Sequence, residues 1–200
     1  MRPEKRRERR MRIVQAARDV FLRYGYRKTA LEDVAQAAYL GKATLYHYFE
    51  GKDDLFGAVI EEIYDEYISR QRKGMEKEPS AAGKLRRYAQ QLLDDHEVMV
   101  GSVHDSGRAD AEFPARVHGH LRRLRQGELE LIEEVLTGGV ETGEFRPMNT
   151  RRVSLLFLGS LRSMVIDATN QSTPDENIVS DFMKILFYGL LAHADGKELK

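Results

Sequence analysis

The stretch Thr29–Phe49, TALEDVAQAAYLGKATLYHYF, decides how this chain is read. Thr29 and Glu32 have the T-x-x-E spacing of a capping box, in which the hydroxyl accepts from the third amide and the carboxylate reaches back to the Thr29 amide. That spacing predicts a helix starting near Ala30. Val34, Ala35 and Ala38 then fall on one side, with Ala35 small where a following helix must cross closely. Leu40 is an apolar plug after the turn. Leu45, Tyr48 and Phe49, at i, i+3 and i+4, form the inward face of a second short helix. Lys42, Ala43, Thr44, Tyr46 and His47 are left facing out. Two short helices joined by a tight turn are the pattern of a helix-turn-helix, whose second helix enters DNA. A cation, a hydroxyl, a phenol and an imidazole there would donate to phosphate or base edges. The spacing also allows an ordinary helical hairpin with a polar outer face.

The flanks supply what this unit needs. Ile13, Ala16, Ala17, Val20, Phe21 and Tyr24 recur at helical spacing, and Gly25 stands where a glycine ends a helix. This predicts a supporting helix whose stripe is core. Before it, residues 1–12 carry seven Lys/Arg against two Glu, read either as a solvated helix start or as an arm along DNA. After it, Gly51-Lys52-Asp53-Asp54 opens a helix with acidic residues in its first turn, where they suit the dipole, and with Lys52 beside amides able to bind phosphate. Phe56, Val59, Ile60, Ile63 and Tyr67 continue that helix to about Arg72.

Composition sets outer limits. The chain has 200 residues, 42% of them hydrophobic, and no Cys, so disulfides, thiol chemistry and Cys-ligated metal are excluded. No run of 18 apolar residues is present to span a membrane, and no apolar region follows the basic start as in a signal peptide. This predicts a cytoplasmic protein. The net charge of zero hides a partition. Residues 1–50 hold 12 Lys/Arg against 6 Asp/Glu, and residues 51–200 hold 20 against 26. A basic front on an acidic body suits nucleic acid at one end.

In the body, Gly74–Gly83 is the clearest break, and Pro79-Ser80 starts another helix. Leu85, Tyr88, Ala89, Leu92, His96 and Met99 lie on one face of it. Residues 101–113 read as a short helix with loops. Pro114 opens a long amphipathic helix to about Thr142, with Val117, Leu121, Leu124, Leu131, Ile132, Val135 and Leu136 on its core side. His118 and His120 are two apart and cannot share a helical face, so no metal site is expected from them. Asn149 is a predicted N-cap. The helix after it carries the stripe Val153, Leu156, Phe157, Ser160, Leu161, Met164 and Val165. From Ile178 to Ala192 the chain is apolar nearly all round, and such a helix must be covered on all sides. A second subunit packing through the last two helices does that most simply; a central helix in a monomer is the other solution. No phosphate loop, nucleophile elbow, zinc-protease or EF-hand pattern is present, which points away from an enzyme and from any cofactor.

Residues 13–55, above all AAYLGKATLYHYFEGKDDL at 37–55, resemble the DNA-binding domain of TetR-family transcriptional regulators. The resemblance rests on Thr29, Val34-Ala35, Ala38, Leu40, Lys42, Thr44 to Phe49, Lys52 and Leu55. It implies an all-α fold of about nine helices, with a three-helix helix-turn-helix domain at 1–51 and a helical effector-binding and dimerisation domain at 52–200. It implies a homodimer on pseudo-palindromic double-stranded DNA, usually a repressor released by a small molecule. Carried onto this chain, Thr29, Lys42, Thr44, Tyr46, Tyr48 and Lys52 are the expected phosphate contacts. Lys42, Ala43 and His47 are the residues expected to meet base edges. A small, mostly apolar effector would be lined by Tyr64, Tyr67, Tyr88, Leu92, His96, Met99, Phe113, Leu124 and Phe157; a regulator without an effector is the alternative. Two positions depart from the family pattern, Tyr39 where Gly is usual at the turn and Gly41 where Ser is usual at the next N-cap. Keeping the turn predicts positive φ at Tyr39, at about 1–2 kcal/mol of strain.

Overall fold

A computed structural model describes residues 3–94, 115–170 and 176–190, with side chains at 3–94, 117–164 and 177–190. Among the described residues the chain is all helical, in eight helices. They are α1 (Pro3–Lys28), α2 (Leu31–Ala37), α3 (Lys42–Tyr46), α4 (Lys52–Met75), α5 (Ala81–Asp94), α6 (Ala115–Glu141), α7 (Thr150–Asn170) and α8 (Glu176–Leu190). The short helix expected within 101–113, and with it His96, Met99 and Phe113, lies outside the described residues. The chain forms two compact units. One gathers residues 1–67 with 97–125, the other 68–96 with 126–200.

The first unit is built on the predicted stripe. Ile13, Ala17, Val20 and Phe21 of α1 are buried, joined by Val14, whereas Tyr24 is half exposed and leaves the stripe one turn early. Gly25 explains this: at φ 75°, ψ 164° it breaks the helix, so the residues around it leave the α1 register. Val34 and Ala35 of α2, Leu45 of α3, Phe49, and Leu55, Phe56, Val59 and Ile60 of α4 complete one core, with Val117 and Leu121 of α6 against it. Side chains as fully buried as Ile13, Leu45 and Leu55 each contribute about 1.5–3 kcal/mol.

The capping box is shifted by one residue from the expected one. Ala30 is the N-cap of α2, and its N–H donates to the Asp33 carboxylate (2.9 Å). Glu32 instead pairs with Lys42, and the Thr29 hydroxyl donates to the Gly25 carbonyl (2.8 Å). Two carboxylates stand side by side in this first turn, and the one placed to face the Ala30 amide takes the cap.

In the second unit Leu85, Tyr88, Ala89 and Leu92 of α5 are buried as expected, as are Leu131, Ile132 and Leu136 of α6. Asn149 caps α7 by accepting from the Arg152 N–H (2.9 Å). The buried face of α7 keeps Phe157 and Leu161 of the predicted stripe but adds Ser154 and Leu158, while Leu156 is 69% exposed. In α8 Val179, Met183, Phe187 and Leu190 are buried. The N-terminus of α5 is closed by Glu144, whose two oxygens accept from the Ala81 and Ala82 N–H groups (2.7 and 2.8 Å). A carboxylate there satisfies orphan amides and suits the dipole.

Candidate nucleic-acid interface

The geometry of the α2–α3 turn follows from its hydrogen bonds. The Leu40 N–H donates to the Ala35 carbonyl (2.8 Å) and the Tyr39 N–H to the Gln36 carbonyl (3.1 Å). This is the Schellman closure, and it requires a left-handed residue at the position Tyr39 occupies. Tyr39 has φ 55°, and it is the only described non-glycine residue with positive φ. Its side chain is 96% exposed, so no packing offsets the strain. Gly41, extended at φ −72° and ψ 146°, is the N-cap of α3; its carbonyl accepts from the Thr44 N–H (2.9 Å).

With the turn closed this way, Leu45 and Phe49 enter the core, and Tyr48 and Leu40 pack at its edge. Lys42, Ala43, Tyr46 and His47 face solvent and Thr44 is half-buried. The outward row predicted from spacing is therefore brought together on one short helix. Lys42 is tethered across the turn by Glu32, which holds its ammonium pKa above the ordinary lysine value and draws the Glu32 carboxyl below its own. Both side chains are exposed, so the tether is weak and a phosphate can replace it.

Two of the expected contacts, Thr29 and Lys52, lie outside this row. Thr29 is 3% exposed, with its hydroxyl hydrogen directed to Gly25, and so stands beneath the outward row. Lys52 lies at the start of α4 with its ammonium 4.4 Å from the Tyr26 ring centroid, donating to the Arg27 carbonyl (3.2 Å). Burial there lowers its pKa. Tyr26 in turn donates to Asp53, and burial raises the pKa of its hydroxyl. Sequence reasoning missed Tyr26; its aromatic ring beside Arg27-Lys28 was the available signal. Within the basic residues 1–12, Arg10 places its guanidinium 4.8 Å above the Phe49 ring. That contact joins the basic first turns of α1, exposed throughout residues 3–12, to the residue that ends the α3 turn.

The expected effector-lining residues are split by the fold. Tyr64, Tyr67 and Leu124 belong to the first unit, where Tyr64 donates to the Leu124 carbonyl and its ring centroid is 6.1 Å from that of Tyr67. Tyr88, Leu92 and Phe157 belong to the second, with the Tyr88 and Phe157 centroids 6.0 Å apart. Tyr88 also donates to the buried Glu128 (3.0 Å), which pairs with Arg162. Among the described residues no cluster of three or more His, Asp or Glu has metal-binding geometry, and no helix is long and apolar enough to cross a membrane.

A core-locked helix-turn-helix with a cationic and aromatic outer row, on an all-helical chain, defines a DNA-binding transcriptional regulator. Residues 13–59 match the family model for bacterial regulatory proteins of the tetR family. Among curated relatives, the fatty acid metabolism regulator protein of Bacillus subtilis is 22% identical over 160 residues, covering 78% of this chain and 80% of its own. Among solved structures, FadR from Bacillus subtilis in complex with stearoyl-CoA superposes with a TM-score of 0.70 at 20% identity, over 92% of this chain and 99% of its own. AibR in complex with isovaleryl coenzyme A and operator DNA does so with a TM-score of 0.61 at 20% identity, over 90% and 98%.

Proposed function

We propose that this chain is a cytoplasmic, homodimeric repressor, a regulator rather than an enzyme, held on a pseudo-palindromic operator by α3 and released by an acyl-coenzyme A thioester. The observation that carries the DNA reading is the outward row Lys42, Ala43, Tyr46 and His47 above buried Leu45 and Phe49. Lys42, Thr44, Tyr46, Tyr48 and Lys52 hold phosphates, while Lys42, Ala43 and His47 meet base edges. Thr29 holds the start of α2 from beneath. Residues 1–51 serve as the DNA-binding domain and 52–200 as the effector-binding and dimerisation domain.

Large apolar side chains left exposed support the dimer: Leu155 at 55%, Leu156 at 69%, Ile178 at 48%, Ile185 at 74% and Tyr188 at 64%. These five lie on the last two helices, where a second copy would cover them. Operator half-sites then fall about one helical turn apart or slightly more. The effector class rests on the bound molecules of FadR and AibR together with the aromatic interior around Tyr88 and Phe157. To shift occupancy from 1:99 to 99:1, the thioester must favour the DNA-incompetent state by about 5.5 kcal/mol.

The test is binding of the purified protein to the DNA upstream of its own gene, followed across salt. Tight binding with a steep salt slope is expected, weakened by Lys42→Ala and relieved by isovaleryl-, decanoyl- or stearoyl-CoA. Affinity indistinguishable from that for random duplex, unaltered by Lys42→Ala, would refute the DNA-binding row; operator binding unmoved by every thioester would refute the effector.

A further inference from the structure

Gln71 on α4 is completely buried, and among the described residues neither its Oε1 nor its Nε2 has a hydrogen-bond partner. Exchanging the amide oxygen and nitrogen leaves this deficit unchanged, because both ends are bare. One turn further on, Gly74 admits the side chain of Gln91 from α5: a Cβ at residue 74 would stand 2.0 Å from Gln91 Oε1. The Gln91 Nε2 donates to the Arg70 carbonyl (3.3 Å), while its Oε1 is buried and unpaired. One bare donor group and two bare acceptors therefore lie along the same stretch of α4, within the second unit. Buried polar groups in folded proteins are nearly always satisfied, and a bare amide opposes folding. A leucine of similar size would have filled the Gln71 site without that deficit.

We propose that Gln71 and Gln91 form a recognition site for a neutral secondary amide, supplied by the pantetheine arm of an acyl-coenzyme A. The inference rests on the effector reading given above. The chemistry of two of the bare atoms, Gln71 Nε2 and Gln91 Oε1, selects the group. A carboxylate offers only acceptors and would face two carboxamide oxygens. A thioester carbonyl satisfies the donor alone. A trans secondary amide directs its C=O and N–H to opposite sides, so two carboxamides match it better than one. Its carbonyl accepts from Gln71 Nε2 and its N–H donates to Gln91 Oε1. Gly74 is then a specificity residue, since any larger side chain expels Gln91.

The experiment compares two ligands of one acyl group. For whichever of the isovaleryl, decanoyl and stearoyl chains binds best, the coenzyme A thioester and the amide-free S-ethyl thioester are titrated calorimetrically into wild type, Gln71→Leu and Gln91→Met. Both variants are expected to bind the coenzyme A thioester about tenfold more weakly, the loss of one good hydrogen bond. The S-ethyl thioester should bind all three proteins alike. Thermal unfolding without ligand checks folding, and Gln71→Leu should melt no lower than wild type. If the variants weaken both ligands equally, or neither, the amide site is wrong while the acyl effector stands. If wild type binds no coenzyme A thioester, the effector reading fails and this inference with it.

Discussion

Replacing Tyr39 by glycine should make the protein more stable. The Schellman bonds from Leu40 and Tyr39 back to Ala35 and Gln36 hold residue 39 at φ 55°. A left-handed L-residue costs about 1–2 kcal/mol there, and glycine removes that cost. Against it stands the larger conformational freedom of glycine in the unfolded chain, about 0.5–1 kcal/mol. The side chain is 96% exposed, so truncation forfeits almost no burial. The net gain is about 0.5–1 kcal/mol, which raises the melting temperature of a chain of this size by about 1–4 °C. Urea unfolding followed by circular dichroism measures it, with an unchanged m-value showing that the transition itself has not altered. Tyr39→Ala is the control, since alanine keeps the strain. The reasoning is refuted if Tyr39→Ala stabilises as much as Tyr39→Gly, which would trace the gain to removal of an exposed ring, or if Tyr39→Gly destabilises.

Gly25→Ala should cost about 1–3 kcal/mol in the same assay, because φ 75° with ψ 164° is open essentially to glycine alone. Nothing lies within 4 Å of the added Cβ, so Gly25→Ser should cost the same, and a cost that grows with side-chain size would contradict a purely backbone origin. Arg162→Met strands the carboxylate of Glu128, which is 5% exposed, and should cost about 3 kcal/mol by chemical unfolding. Adding Glu128→Leu should recover most of that loss; a double variant no better than the single would show that Arg162 acts through packing. Glu62 Oε2 is buried without a partner, and burial raises the Glu62 carboxyl pKa above 4.5. The folded state therefore holds the proton more tightly than the unfolded one, and stability is lost as pH rises through the folded pKa. Glu62→Gln should accordingly stabilise near neutral pH and change nothing below about pH 3, well under the model-peptide carboxylate value; a gain independent of pH would exclude titration as its cause.

The first unit was legible because its signals are local. Val34, Ala35, Leu45 and Phe49 declare their burial by helical spacing, and Tyr39 declares its φ once a turn is required between them. The errors arose where one window held two answers. Glu32 and Asp33 are neighbouring carboxylates, and the choice between them depended on Lys42 across the turn, outside any capping window. In α7 the run VSLLFLGSL, residues 153–161, carries two interleaved apolar registers, and spacing alone did not decide that Leu158 goes in and Leu156 out. The cap on α5 was out of reach for another reason. Glu144 lies 63 residues from Ala81, and no periodicity links a carboxylate to an amide at that separation.

The second unit poses two deficits of different kinds. In α8 the row Val179, Met183, Phe187 and Leu190 is buried, while Ile178, Ile185 and Tyr188 on another face stay exposed. Inside, among the described residues, both ends of the Gln71 amide and the Gln91 Oε1 lack partners. Apolar surface is completed by any apolar surface of matching shape, without regard to direction. An amide is completed only by a group presenting a donor or an acceptor along a fixed line. The outer deficit therefore asks for area, which a second copy of the same helices supplies at no cost in specificity. The inner one asks for geometry, which a small molecule supplies and a hydrophobic helix face does not. On the proposed reading, assembly and effector binding draw on separable chemistry within one unit, so substitutions at Ile185 and at Gln71 should act independently of each other.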